Sequence, residues 1–237
     1  MREYFFRYEE DKKIKIEVNF DLDDVKEYNP WLLSIFIKFD ALNEKAEGFE
    51  EFLETKEALI IALGHNQRAH YVGSRIVDGW SELYFYSYDS KRLDSVVKEI
   101  LAPSEYIYES NIVRDTKWEF YESELFPTEL EIANIESFKT IAMLEEEGDC
   151  IEISREVEHY LSFLTPTQKE RFLESVEHLG FHYKDEIASD TFEHGVAVVK
   201  KHSLVEEDVL NNVKLLFQAV KKAGGFYEGW STVLVDE

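Results

Sequence analysis

The part of the chain that most restricts the fold is residues 154–235, where strand and helix patterns follow one another in a fixed order. The predicted elements are a strand at 157–164, a helix opened by Thr165 and Pro166, a strand that starts at Gly180 and Phe181, a strand at 196–202, a helix at 203–223, and a last strand after Gly224 and Gly225. Hydrophobic periodicity and turn residues carry these predictions. The resulting β-α-β-β-α-β order is that of the ferredoxin-like fold.

The first half of the chain repeats this order behind an extra hairpin. A strand at 31–39, a helix at 50–63, a hairpin of 69–77 and 80–88, a helix closed by Pro103 and a strand at 106–113 form the predicted unit. Asp78 and Gly79 give the strongest two-residue hairpin signal. The added hairpin pairs strands at 4–8 and 14–20 through a turn at 10–12. The fold class predicted is therefore α+β, with two tandem ferredoxin-like domains at 1–127 and 128–237.

Three capping boxes mark predicted helix starts. Thr128 with Glu131 opens a connecting helix that ends at Gly148, and the same pattern recurs at Thr165 and at Ser203. In a capping box, a hydroxyl and a Glu or Gln side chain each accept a hydrogen bond from a free amide at the helix start. We expect the connecting helix to be an ordered part of the second domain.

The formal net charge of −24 limits the partners of this chain. It is spread along the sequence, with −11 before residue 128 and −13 from there on. Such a surface repels nucleic acid and anionic membranes and attracts basic proteins. A lone Cys150, no signal-peptide pattern and no apolar run of about 20 residues indicate a cytoplasmic protein without disulfides.

The sequence shows no constellation typical of catalysis, and neither a metal nor a cofactor is expected. His159 lies in register with Val157 and Leu161, which predicts a hydrogen-bonded core histidine, since no nucleophile of matching spacing accompanies it. No phosphate-binding glycine motif occurs. The strand around His159 is acidic, unlike the basic sheet of an RNA-recognition module, so direct nucleic-acid binding is not expected.

Candidate partner-binding residues are acidic or aromatic. One set follows the connecting helix and another lies in a predicted loop: Glu145, Glu146, Glu147 and Asp149, then Asp185, Glu186 and Asp190. Glu158 and Tyr160 alternate away from the His159 side and should lie on an open face of the second sheet. Tyr227 or Trp230 on the last strand is expected to join them there, and both are candidate partner-binding residues. A surface of this kind suits protein docking.

Several segments resemble known families. Residues 155–163 (REVEHYLSF), 179–181 (LGF), 224–230 (GGFYEGW) and the preceding 143–149 (MLEEEGD) resemble the regulator of ribonuclease activity B family, over about 138–235. The first domain, about 1–127, is similar to a bacterial family of unknown function, through 30–33 (PWLL), 71–73 (YVG), 83–86 (LYFY) and 118–121 (WEFY).

The resemblance implies a small acidic protein that binds ribonuclease E and restrains RNA cleavage by contacting the enzyme, without an active site of its own. The favoured prediction is therefore a non-enzymatic acidic regulator that binds a basic protein partner. A ribonuclease, held through its basic RNA-binding segments, is the candidate partner. A self-associating or ligand-sensing module, in which copies of the chain form a homo-oligomer, is the alternative, and an uncharacterised hydrolase is the third.

Overall fold

The computed structural model describes residues 2–9, 12–22 and 24–235, and it divides into two compact units, Met1–Pro127 and Thr128–Glu237. Each unit contains one antiparallel sheet with helices, so the protein is a mixed α+β structure. The predicted turn at 10–12 includes Glu10 and Asp11, which lie outside the described residues. Within the described part of the chain, no helix has both the length and the apolar character needed to cross a membrane.

The first unit is built on a six-stranded sheet in the order β1-β2-β4-β5-β3-β6. Its elements are β1 (Arg2–Glu9), β2 (Lys12–Asn19), β3 (Trp31–Ile37), α1 (Phe49–Gly64), β4 (Ala69–Val77), β5 (Trp80–Ser87), α2 (Leu93–Leu101) and β6 (Tyr108–Arg114). The predicted hairpin turn is confirmed, because Val77 pairs with Trp80 and both turn residues have positive φ, 52° at Asp78 and 77° at Gly79. That geometry matches the twist of the two strands.

The segment after β6 packs onto the sheet of the first unit. The indole ring of Trp118 stacks on Tyr86 with 3.8 Å between ring centroids, and its Nε1 donates to the carbonyl of Asn29 at 2.9 Å. Trp118 is buried, so this stack adds a large apolar side chain to the core.

The second unit is built on a four-stranded sheet in the order β10-β7-β9-β8. Its elements are α3 (Glu129–Glu146), β7 (Arg155–Phe163), α4 (Pro166–Val176), β8 (His182–Ser189), β9 (Phe192–His202), α5 (Glu206–Ala223) and β10 (Phe226–Thr232). Alternate residues of β7 enter the core, where Leu161 and Phe163 meet Phe172 of α4 and Leu216 of α5. The helix α3 packs against α5 and β10.

Two of the three predicted capping boxes are confirmed. Thr128 accepts from the Glu131 amide at 3.3 Å and Glu131 accepts from the Thr128 amide at 2.8 Å, and Thr165 forms the matching pair of bonds with Gln168. These bonds satisfy amides that the first helical turn leaves free.

The capping box predicted at Ser203 is wrong. Helix α5 begins at Glu206 behind Val205, and no side chain caps it. Ser203 instead donates to Asp208 at 2.5 Å and accepts from the Val205 amide at 3.2 Å. The neighbouring Leu204 is fully buried and its amide donates to a loop carbonyl at 2.7 Å, which keeps this segment out of the helix.

Candidate functional site

The carboxyl end of α3 carries three consecutive exposed glutamates. Glu145 and Glu146 are its last residues, and Glu147 is the C-cap ahead of Gly148, whose φ is 88°. No basic residue lies in the last turn. The carboxyl end of a helix carries a partial negative charge. A carboxylate at this end is therefore repelled, and a cation there is stabilised by about 0.3–1 kcal/mol. The arrangement is electrostatically unfavourable until a positively charged group approaches.

Asp149 does not belong to this exposed acidic end, which corrects the prediction for this residue. Its carboxylate is buried, accepts from Arg155 Nη1 at 2.5 Å and from the Val235 amide at 2.9 Å, and so is not available to a partner. The guanidinium of Arg155 lowers the pKa of Asp149, so the pair stays charged. Arg155 also donates to the carbonyls of Cys150 and Val233. The pair therefore connects the loop after α3 to the chain after β10 through hydrogen bonds.

The face of the second sheet opposite its helices is polar and internally bonded. Glu158 forms an ion pair with Lys184 of β8, and Tyr160 is hydrogen-bonded to Ser231 of β10 at 2.6 Å. The ion pair raises the pKa of Lys184. The predicted alternation along β7 is confirmed, since Val157 and Leu161 are fully buried while Glu158 and Tyr160 stay partly exposed.

The predicted acidic loop at 185–190 is in large part a strand, so the loop assignment is wrong. Asp185 pairs with Ala197 of β9, Glu186 pairs with Val196, and only Asp190 lies in the turn between β8 and β9. Glu186 also forms an ion pair with Lys169, which lowers the pKa of Glu186. Because β8 is an edge strand with three consecutive charged residues at its centre, 184–186, it lacks the alternation by which strands are recognised.

Tyr227 and Trp230 also depart from the prediction, because they lie on the helix side of the sheet. Trp230 pairs with His159 of β7 and donates from Nε1 to the Ser137 hydroxyl of α3 at 3.0 Å. The Tyr227 hydroxyl is hydrogen-bonded to His159 Nδ1 at 2.8 Å. A register shift between Tyr227 and Gly229 changes which side chains of β10 face the helices.

His159 is a buried core residue, as its register predicts. Burial lowers its pKa to about 3, assisted by nearby His202 and Lys200, so the imidazole is neutral at physiological pH. The same burial raises the pKa of Tyr227. Among the residues that the structure describes, no group of three or more His, Cys, Asp or Glu side chains is placed to hold a metal ion.

A groove of about 370 Å³ lies between α3 and β10, within the second unit. It brings together all three aromatic candidates, Tyr160, Tyr227 and Trp230. Three glutamates also line it: Glu129, Glu136 and Glu228. Sequence reasoning missed these three, because no local pattern shows that α3 packs beside β10.

Two family models match the chain. Residues 3–126, more than half of the protein, match the model described as "Family of unknown function (DUF695)". The chain belongs to this family of unknown function. Residues 134–232, which include most of α3 and most of the residues that line the groove, match the model of the Regulator of ribonuclease activity B, a regulatory rather than an enzyme family. The resemblance expected from the sequence is thereby confirmed for both parts of the chain.

Solved structures align with the chain, among them a crystal structure that covers much of its length. The crystal structure of an unknown protein from Galdieria sulphuraria aligns with 87% of this member of the family of unknown function and with 99% of that chain, at 12% sequence identity and a TM-score of 0.25. At this TM-score the alignment supports no conclusion about fold or function. No curated protein matches the chain.

Proposed function

We propose that the protein is a non-enzymatic acidic regulator that binds a basic protein partner and inhibits a ribonuclease by occupying its basic RNA-binding segments. The observation that carries this proposal is the match of residues 134–232 to the Regulator of ribonuclease activity B. The proposal assigns the function to the second unit and includes neither direct nucleic-acid binding nor membrane binding. The strand order of each sheet supports the further proposal that residues 1–127 and 128–237 are two ferredoxin-like domains.

Charge supports the choice of partner. Segments that bind RNA are rich in Arg and Lys and gain most of their affinity from phosphate contacts. A protein of net charge −24 offers these segments the same attraction from carboxylates. The exposed end of α3 is the strongest local case, since Glu145, Glu146 and Glu147 form no ion pair within the described residues and lie at the negative end of a helix.

The proposal is tested by binding of the full chain to the Arg/Lys-rich segment of a ribonuclease at low and moderate salt. The triple variant E145K/E146K/E147K is expected to weaken binding at least about tenfold, because it replaces attraction by repulsion at one surface. The matched control is E170K/E174K/E177K, which makes the same charge change on or just after α4. Binding that is unaffected by the first variant, or weakened equally by both, contradicts a specific role for the end of α3.

A further inference from the structure

We infer that the groove between α3 and β10 binds an arginine side chain of the basic partner. The inference rests on the proposed function, because it names the chemical group that the second unit recognises. The groove volume of about 370 Å³ falls within the range of about 300–1,000 Å³ that is usual for small-ligand pockets.

The shape of the groove follows from a missing side chain on β10. Gly229 pairs with Tyr160 of β7, and a β-carbon built on Gly229 would meet no atom within 4 Å. Space therefore remains above this position, and the Tyr160 ring borders it. The register shift just before Gly229 leaves Trp230 beside α3 at the same site.

The aromatic lining is apolar in character. The hydroxyl of Tyr160 is bonded to Ser231, that of Tyr227 to His159, and the indole N–H of Trp230 to Ser137. Because these polar atoms already have partners, the rings are what the three residues have left to offer a ligand. A cation over the face of such a ring gains about 0.5–2 kcal/mol, and guanidinium groups stack in this way more often than ammonium groups.

The charges in the groove favour a cation. Its lining contains three glutamates and no basic residue. Lysines from outside the lining pair with two of them, Lys221 with Glu129 and Lys139 with Glu136 at 3.0 Å. Glu228 accepts from the Ser162 hydroxyl and has no cationic partner in the described part of the chain. One carboxylate beside the rings is thus left uncompensated.

Arginine fits this combination better than lysine. Its planar guanidinium can stack on an aromatic ring while two of its N–H groups bind one carboxylate, whereas an ammonium group is a compact point charge. The groove therefore provides selectivity for one basic side chain, and the exposed end of α3 provides general attraction to positive charge.

The test compares an arginine-rich peptide with a lysine-substituted peptide of the same length and charge, titrated into the full chain. We expect the arginine peptide to bind about tenfold more tightly. Glu228→Gln, which removes the charge, and Tyr160→Leu, which removes the ring, are each expected to abolish that preference. Glu174→Gln on α4 is the matched control and should leave it unchanged. Equal binding of the two peptides, or a preference that survives both groove variants, overturns the inference.

The same titration separates this inference from the proposed function. If both peptides bind equally and E145K/E146K/E147K releases them, the regulator proposal stands and the arginine groove is wrong. If neither peptide binds, both are wrong. An NMR titration of the wild-type chain tests the groove without relying on groove variants, which could fold poorly. The indole N–H signal of Trp230, assigned with Trp230→Phe, should shift with the arginine peptide, and an unmoved signal contradicts binding in the groove.

Discussion

The buried ion pair between Asp149 and Arg155 is expected to control the stability of the second unit. Both side chains are at most 5% exposed, and Asp149 binds Arg155 and the Val235 amide at 2.5 and 2.9 Å. Asp149→Asn keeps the size of the side chain but leaves the Arg155 guanidinium buried without a counter-charge. Breaking a buried pair in this way costs about 3–5 kcal/mol.

Amide hydrogen exchange measures this loss of stability in the strands next to the ion pair. Amides of β7 and β10 should exchange faster in Asp149→Asn by a factor equivalent to about 3 kcal/mol of lost opening free energy. Adding Arg155→Met removes the uncompensated charge, so the double variant should be more stable than the sum of the two single losses predicts. A loss below about 1 kcal/mol in Asp149→Asn would refute the view that the pair is buried and closely coupled.

The ion pair between Asp149 and Arg155 makes a contribution to folding stability that depends on pH. Because the folded-state pKa of Asp149 is lowered, its contribution is present above the unfolded value near 3.8 and is lost as pH falls through the folded value. Wild-type protein should therefore lose more stability than Asp149→Asn when the pH is lowered below about 4. Equal acid sensitivity of the two proteins contradicts the assigned cause of the pKa shift.

Two further predictions concern the core of the second unit. Gly225→Ala places a β-carbon about 2.5 Å from the Phe163 ring and 2.6 Å from the Ser162 carbonyl, so thermal denaturation should show a loss of about 2 kcal/mol or more; an unchanged Tm refutes this packing. His159 has a folded pKa of about 3 against an ordinary 6.5, so it stabilises the fold above pH 6.5 and progressively less as pH falls toward 3. Measured by urea denaturation, the free energy of unfolding of His159→Gln should fall less between pH 6.5 and 3 than that of the wild type. An identical pH dependence of this free energy in the two proteins contradicts a buried neutral imidazole.

The order of elements was predictable because its signals are local. The hairpin turn at Asp78, the capping residues Thr128 and Thr165, and the period of β7 around His159 each depend on a few neighbouring residues, and the structure confirms all of them. A sequence pattern of this kind reports backbone conformation and burial directly.

The candidate site was less predictable, since its determinants are distant in sequence. Asp149 sits in an acidic run, yet its partners include Val235, which no local pattern connects to it. Simple alternation predicts the wrong face for the side chains of Tyr227 and Trp230, because a register shift interrupts β10. The Ser203 cap failed because burial of Leu204, a tertiary contact, delays the start of α5.

Inhibition of a ribonuclease by this protein can be measured as a change in the rate of RNA cleavage. The rate of a ribonuclease with an Arg/Lys-rich RNA-binding segment would be measured with and without the full chain, beside the same enzyme lacking that segment. We expect the full chain to inhibit the intact enzyme, less strongly as salt rises, and not to inhibit the shortened enzyme. The E145K/E146K/E147K variant should not inhibit the intact enzyme, whereas E170K/E174K/E177K should inhibit it as the wild type does. Undiminished cleavage by the intact enzyme, or equal inhibition of both enzymes, would contradict the proposed function.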